Sequence, residues 1–336
     1  MAKKKPIKKP SRTNLGGTIL EGCLENSLQQ RISRYGTAKR RSESMFKFIE
    51  NYDYKSIIGL KKFPDIDIQR SGVKLHDCGN YLVFNDYFTV GKIRLTKASF
   101  CKQQLLCPLC AIRRGAKTLK SYTDKYSAII AAQKGIQASM ITLTVKNGED
   151  LLERFSHLQK SVKTLQANRR RQLAGCRNRT EFSKALGAVG SYEFTNKGNG
   201  WHPHVHMIVL HREPISQYAL SAEWKKITGD SFIVDIREFD RKKEPAQNFL
   251  EIFKYAVKFS DLNLSQNLLA AFLLKGKRLI FSFGVFRGVD VPDSLLDEKL
   301  DDLPFVELFF NYSRSEKGYV SSDRVFKPTR LIPKGC

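Results

Sequence analysis

The feature that most constrains the fold of this chain is a pair of strand-like runs joined by a glycine-rich turn. Residues 187–196 and 204–210 are rich in apolar residues, many of them β-branched or aromatic, and the segment 196–200 between them reads NKGNG. A short polar linker with glycines between two such runs is a strong signal for a β-hairpin. The two runs are therefore predicted to be neighbouring antiparallel strands of one sheet.

Three of the six histidines, His202, His204 and His206, occupy alternate positions at the start of the second run. Alternate residues of a strand share a face, so the three imidazoles are predicted to point to the same side. Two imidazoles about 7 Å apart along a strand can hold one divalent metal ion, and such an ion polarises a phosphoryl oxygen. The alternative is a histidine-rich strand face that only contacts solvent or a partner.

A carboxylate on the first run can complete such a site. Strand alternation that sends Tyr192 to one side of the sheet sends Glu193 to the other, and this could bring Glu193 to the same face as His204 and His206. Two imidazoles and one carboxylate leave coordination positions open for a phosphate or a water molecule. Glu193 and His202 are the two candidates for the third ligand. The competing interpretation of Glu193 is a solvated strand carboxylate.

A second group of reactive side chains lies on a predicted helix over residues 245–261. Glu251, Tyr255 and Lys258 share one face of it, at i,i+4 and i,i+3 spacing. A phenol is a weak nucleophile, but a neighbouring cation or metal ion lowers its pKa. Glu251 is placed to accept a proton, while Lys254 and Lys258 can contact a DNA phosphate. The simpler interpretation is an amphipathic helix with ordinary surface pairs.

The cysteines form a third pattern. Cys107 and Cys110 are spaced as C-x2-C, and Cys101 and Cys78 lie a short distance upstream. Four thiolates bind Zn²⁺ tetrahedrally, so this segment is predicted to hold a structural zinc ion. Two alternatives remain open: buried free thiols, and a site in which His76 replaces one cysteine.

The charge balance points to nucleic acid as the partner. Lys and Arg number 58 against 33 Asp and Glu, which gives a net charge of +25. Such an excess repels itself unless a polyanion is bound. Arg113 and Arg114 follow the cysteines directly and are predicted to contact DNA phosphates. Residues 1–12 carry six basic groups and almost no apolar ones, so we expect a disordered tail that can lie along phosphates.

Composition also indicates the compartment. The chain has no apolar run of about 18 residues, and its N-terminus is rich in lysine, so neither a transmembrane helix nor a cleavable signal is expected. The cysteines number seven, and an odd number without a secretory signal favours the reducing cytoplasm, with no membrane partner.

The predicted elements alternate in a way that favours one fold class. Short strands and turns are expected over 72–110, strands over 139–146, 187–196, 204–210 and 232–236, and helices over 113–133, 149–173, 224–227 and 245–261. The order β-α-β-β-α with an antiparallel hairpin favours an α+β fold, with an antiparallel central sheet and flanking helices, over a parallel array.

The three motifs occur in an order that resembles the HUH endonucleases and, more closely, the plasmid rolling-circle replication initiators. The matching segments are ITLTV at 141–145, YEFT at 192–195 followed by HPHVH at 202–206, EIFKYAVK at 251–258, and the cysteine segment CPLCAIRR at 107–114. The resemblance covers roughly residues 75–288. It implies four regions: a basic, partly disordered region 1–70, a cysteine-rich zinc- and DNA-binding segment 71–135, an HUH nickase domain 136–288, and a C-terminal extension 289–336.

The resemblance implies a site-specific nickase for single-stranded DNA at the double-strand origin of a plasmid. Tyr255 would attack the scissile phosphate and keep the 5′ end as a phosphotyrosine. In the bacterial cytoplasm a host helicase would then open the duplex, and a host polymerase would extend the free 3′-OH. His204 and His206 would hold Mg²⁺ or Mn²⁺, and Glu251 would activate water for the terminating cleavage.

Two other functions fit parts of the pattern. The first is a non-catalytic, zinc-containing DNA-binding regulator such as a repressor. The second is a metal-dependent phosphodiesterase that uses a water nucleophile, in which case cleavage would survive the loss of Tyr255.

Overall fold

The structure is a computed structural model that describes residues 28–51, 53–177, 179–240, 245–253, 261–287 and 303–327. For residues 250–253 and 323–327 it describes the backbone alone. Two antiparallel sheets with helices packed against them make up these residues. The predicted α+β class with an antiparallel sheet is thus confirmed. The predicted N-terminal tail and residues 254–260 of the predicted 245–261 helix lie outside the described residues.

The strands are β1 Tyr81–Tyr87, β2 Lys92–Ala98, β3 Gln137–Thr144, β4 Ala185–Asn196, β5 Trp201–His211, β6 Val234–Glu238, β7 Ile280–Gly284, β8 Phe305–Ser313 and β9 Gly318–Lys327. The helices are α1 Leu28–Asn51, α2 Asp65–Asp77, α3 Pro108–Ala132, α4 Leu151–Leu173, α5 Gln217–Thr228, α6 Pro245–Phe253 and α7 Leu264–Leu273. Short 3-10 turns lie at Tyr54–Ser56, Leu60–Lys62 and Glu181–Lys184.

The five-stranded sheet has the order β6-β3-β5-β4-β7, with every neighbouring pair antiparallel. The predicted hairpin is its β4–β5 pair, with the glycine-rich turn between the strands. In this pairing Glu193 is opposite His204. Gly198 and Gly200, with φ of 98° and 78°, lie in that turn, where side chains other than glycine are strained.

Helices cover both faces of this sheet. One face presents Val205, Met207 and Val209, which pack in a common core with apolar residues of α4 and α5. The spacing of the apolar residues in α4 gives that helix one buried stripe, consisting of Leu151, Phe155, Leu158, Val162 and Leu165. Asp150 starts α4 by accepting hydrogen bonds from the backbone N–H groups of Leu152 and Glu153.

The other face is the one that carries His204 and His206, and we call it the histidine face. Further along the same strand Ile208 and Leu210 point to this side, where they pack against Leu119 of α3 and Phe249 of α6. Two helices of the chain, α3 and α6, therefore lie on the histidine face, while α4 and α5 lie on the opposite one.

The second sheet has the order β2-β1-β8-β9 and joins distant parts of the chain. Leu82 of β1 is opposite Phe310 of β8, so the hairpin formed by β8 and β9 docks on the strands that precede the cysteines. Helix α1 packs on this sheet through Ile32 and Tyr35. The sequence did not locate either α1 or this hairpin.

Several predicted elements differ at their ends from those observed. Strands and turns are predicted over the whole of 72–110. In the structure, residues 72–77 form the end of helix α2 and residues 108–110 form the start of α3. The helix expected over 224–227 extends from Gln217 to Thr228, because Ser216 caps its first turn and Gly229 ends it with φ of 72°. Among the described residues, no helix is both long and apolar enough to cross a membrane.

Candidate metal centre

Three side chains converge on the histidine face where β4 and β5 pair. The Nε2 atoms of His204 and His206 lie 3.4 and 3.2 Å from Oε2 of Glu193. The candidate ligand atoms of the three residues all lie within 4.8 Å of one another. The β4–β5 register produces this arrangement, because Glu193 is directly opposite His204 and one step from His206 on the same face.

The donor set and spacing fit a divalent metal ion. Imidazole nitrogens and carboxylate oxygens bind such ions at about 2.1 Å, so neighbouring ligands of one ion are about 3 Å apart. The observed separations between Glu193 and the two histidines are close to this value. Three protein ligands leave positions open for a phosphate or a water molecule, as sites that act on a substrate require.

Burial keeps this site in the protonation state that a metal ion needs. His204 and Glu193 are 7 % and 3 % exposed. Burial lowers the pKa of His204 to about 4, an effect that the nearby backbone carbonyl of His202 opposes. At neutral pH the imidazole of His204 is therefore uncharged, and its Nε2 lone pair is available for coordination.

The second ring nitrogen of His206, Nδ1, has a hydrogen-bond partner on the neighbouring strand β3. Nδ1 of His206 lies 2.8 Å from Oγ1 of Thr142, the residue opposite it on β3. Thr142 belongs to the segment 141–145, which the sequence analysis singled out as a motif without assigning a contact to this side chain.

His202, the other candidate ligand, has a different environment. Its Nδ1 donates a hydrogen bond of 2.6 Å to Oδ1 of Asn147, and its ring lies 5.4 Å from that of His204, centroid to centroid. Burial lowers its pKa as well. His202 is not part of the three-residue group of converging ligand atoms, so the geometry favours Glu193 as the third ligand.

The four predicted zinc ligands also come together. The Sγ atom of Cys110 lies 3.7 Å from that of Cys78 and 3.6 Å from that of Cys101, and Cys107 lies 3.5 Å from Cys78. We call these residues the cysteine cluster. All four sulfur atoms lie within 4.8 Å of one another, and His76 is not among them.

The cysteine cluster ties several elements together. Cys78 follows α2, Cys101 follows β2, and the remaining two lie at the start of α3. Burial raises the pKa of the Cys107 thiol well above its usual range. A bound metal ion would offset this cost and stabilise all four thiolates at once.

The predicted DNA-contacting arginines Arg113 and Arg114 lie on α3, directly after the cysteine cluster, and both are exposed. The guanidinium of Arg113 stacks on the ring of Phe100 at 4.4 Å from its centroid. This contact holds one of the two cations in place next to the cluster.

The predicted tyrosine motif lies only partly within the described residues. Tyr255, Lys254 and Lys258 lie outside them, and Glu251 is described only by its backbone near the end of α6. Tyr255 follows the last described residue of that helix by two positions. Phe249 of α6 is fully buried on the histidine face.

Comparison with known proteins identifies the family. Residues 92–318, more than half of the chain, match the family described as "Replication protein". The chain belongs to this family. Proteins named "Protein rep" are among its relatives. One from Bacillus sp. is 29 % identical over 267 residues, covering 68 % of this chain and 83 % of the relative. One from Staphylococcus aureus is 24 % identical over 251 residues, covering 70 % of this chain and 98 % of the relative.

A third relative, from Bacillus amyloliquefaciens, is 27 % identical over 271 residues, and the match covers 70 % of this chain and 76 % of the relative. No solved structure matches this replication protein significantly. The resemblance to plasmid replication initiators that the sequence motifs indicated is confirmed by these matches.

Proposed function

We propose that this replication protein starts rolling-circle replication of a plasmid by nicking one DNA strand at the double-strand origin, and that it rejoins the strand at termination. The observation that carries the proposal is the convergence of Glu193, His204 and His206 on one sheet face. Membership of the replication-protein family supports it, and so does the packing of α6, which leads to Tyr255, on that same face.

In the proposed reaction the phenolic oxygen of Tyr255 attacks the scissile phosphorus as its proton is removed. The bond from phosphorus to the 3′ oxygen breaks, and that oxygen takes up a proton to become a free 3′-OH. The 5′ phosphate remains on the tyrosine as a diester, so the energy of the broken bond is retained for rejoining. A host polymerase would extend the 3′-OH, with a host helicase opening the duplex.

Glu193, His204 and His206 would hold Mg²⁺ or Mn²⁺. When bound, the ion orients the scissile phosphate and offsets the negative charge that develops on it. Lys258 and Lys254 would contact the same phosphate or its neighbours. Glu251 would accept the proton of a water molecule in the terminating cleavage.

The cysteine cluster would hold a structural Zn²⁺. Four cysteine ligands with no open position are typical of zinc sites that stabilise a fold rather than catalyse a reaction. The cluster lies within a core that includes Leu109 and Leu75, and the binding free energy of a metal ion there would add to the stability of that core.

The experiment that tests the nickase is covalent trapping. The protein is incubated with labelled single-stranded origin DNA and Mn²⁺, separated by denaturing electrophoresis, and any attached residue is mapped. We expect the label to migrate with the protein and to map to Tyr255, and we expect Tyr255→Phe to bind the DNA without forming the adduct.

The same experiment separates the other two functions. A non-catalytic regulator would bind the DNA but give neither cleavage nor an adduct with the wild-type protein. A phosphodiesterase with a water nucleophile would give cleavage that persists in Tyr255→Phe. Either result would contradict the proposed nickase.

A further inference from the structure

The exposed side of α3 carries a row of cations. Arg113, Arg114, Lys117 and Lys120 are all exposed, and no acidic residue interrupts the segment 113–120. Positions 113, 117 and 120 follow helical i,i+4 and i,i+3 spacing, and 114 lies next to them, so the four side chains form one stripe. We call it the α3 stripe.

Most of the stripe is not used in ion pairs. Lys120 pairs with Asp124 at 2.8 Å. Within the part of the chain that the structure describes, Arg113, Arg114 and Lys117 form no ion pair with a carboxylate. The stripe therefore concentrates positive charge that the protein itself leaves largely uncompensated.

The position of α3 distinguishes this stripe from the other basic helix surface. Helix α4 is also basic, with exposed Lys160 and Lys163, but it packs on the face of the sheet opposite the candidate metal centre. Helix α3 starts at the cysteine cluster and packs through Leu119 on the histidine face. Of these two surfaces, the α3 stripe is the one on the same side of the sheet as the metal ligands.

We propose that the α3 stripe is the surface that binds the phosphate backbone of single-stranded DNA leading to the metal centre. The stripe is about 10 Å long at 1.5 Å per residue, which is long enough to contact more than one phosphate of a single strand. The stacking of Arg113 on Phe100 fixes the end of the stripe next to the cysteine cluster. This inference depends on the proposed function only in taking single-stranded DNA as the substrate.

The stripe gives the cysteine cluster a role in substrate binding. Cys107 and Cys110 fix the first turn of the helix whose next turns carry the cations. A metal ion at the cluster would hold the N-terminal end of α3, and thus the direction in which the stripe presents its charge. The proposed path of the DNA backbone therefore runs from the cluster, along α3, towards the histidine face.

The test uses a pair of matched double variants. Arg114→Gln/Lys117→Gln removes two charges from the α3 stripe at i,i+3 spacing. Lys160→Gln/Lys163→Gln removes two exposed charges at the same spacing from α4, on the opposite face. Binding of a fluorescent single-stranded oligonucleotide is measured by anisotropy from low to high salt, and thermal melting checks that both variants fold as the wild type does.

The expected result is a selective loss in the α3 variant. Each lost phosphate contact makes the negative slope of log affinity against log salt shallower by about 0.7. The slope of this variant is therefore expected to be about 1.4 shallower than that of the wild type, and its affinity at 0.1 M salt roughly 25-fold lower. The α4 variant should keep the wild-type slope. Equal slopes in the two variants, or a larger loss in the α4 variant, would overturn the proposal.

A parallel assay distinguishes failure of the proposed binding surface from failure of the proposed nickase. Covalent trapping with the wild-type protein reports on nicking, while the slopes report on binding alone. If no adduct forms but the slopes differ as expected, the nickase proposal fails and the binding surface stands. If the adduct forms and the slopes are equal, the DNA reaches the metal centre by another surface.

Discussion

Oγ1 of Thr142 lies 2.8 Å from Nδ1 of His206, across the β3–β5 strand pair. If Nε2 of His206 binds a metal ion, Nδ1 carries the proton and donates a hydrogen bond to the threonine oxygen. The hydroxyl would thus fix both the tautomer and the ring orientation of this ligand. Thr142 is a positioning residue in the proposed site, since it acts through His206 and not on the substrate.

Replacing Thr142 should weaken the metal site without removing a ligand. We expect Thr142→Val, which keeps the shape but loses the acceptor, to reduce Mn²⁺ affinity by about 10- to 100-fold, the range typical of partners behind metal-bound histidines. Titration calorimetry with Mn²⁺ measures the affinity directly. Thr142→Ser retains the oxygen and should recover most of it. Equal losses in both variants would show that the methyl group, and not the hydrogen bond, is responsible.

Removing a ligand itself should separate metal-dependent cleavage from DNA binding. We expect Glu193→Gln and His206→Ala to abolish adduct formation, because two donors cannot hold and orient the ion that three hold. Anisotropy with single-stranded DNA should remain close to wild type, since the proposed phosphate contacts lie on α3. A parallel loss of binding and cleavage would instead indicate that these variants are misfolded.

His202 offers a comparison within the same strand. Because its Nδ1 is hydrogen-bonded to Asn147 and its ring lies outside the group of converging ligands, we expect His202→Ala to keep Mn²⁺ binding where His206→Ala loses it. Calorimetry on the two variants side by side decides between Glu193 and His202 as the third ligand. Loss of Mn²⁺ binding in His202→Ala would assign His202 to the metal.

Local sequence patterns were enough to predict the hairpin and the shared face of its ligands. Strand alternation has a period of two, so a hairpin register that pairs Glu193 with His204 places both on one face, and the structure has this register. The C-x2-C spacing and two nearby cysteines likewise predicted a cluster that the structure assembles.

Contacts that depend on pairing between distant segments could not be predicted in this way. The position of Thr142 beside His206 follows from the β3–β5 register, which no turn joins, and the docking of β8 on β1 pairs residues as far apart as Leu82 and Phe310. Local periodicity carries no information about which distant strand completes a sheet. The roles of Tyr255 and Lys258 remain predictions from the motif, since neither residue lies in the described part of the chain.

Loss of the metal ion from the cysteine cluster should destabilise the part of the protein built around it. A ligand bound at about 1,000 times its dissociation constant adds roughly 4 kcal/mol to the free energy of unfolding, so we expect chelation of a tightly bound zinc ion to lower stability by at least this order. The core around the cluster includes Met45 and Ile49 of α1, so this helix should become sensitive to protease.

Two cysteine variants make this prediction specific. Cys107→Ser removes a buried member of the cluster, whereas Cys176→Ser alters an exposed cysteine outside it. We expect Cys107→Ser to lose bound zinc in elemental analysis and to melt like the chelated wild type, and Cys176→Ser to match the untreated protein. Zinc-free wild-type protein whose melting is unaffected by chelators would contradict the structural role, because buried thiols alone would then be sufficient to hold α1, α2 and α3 together.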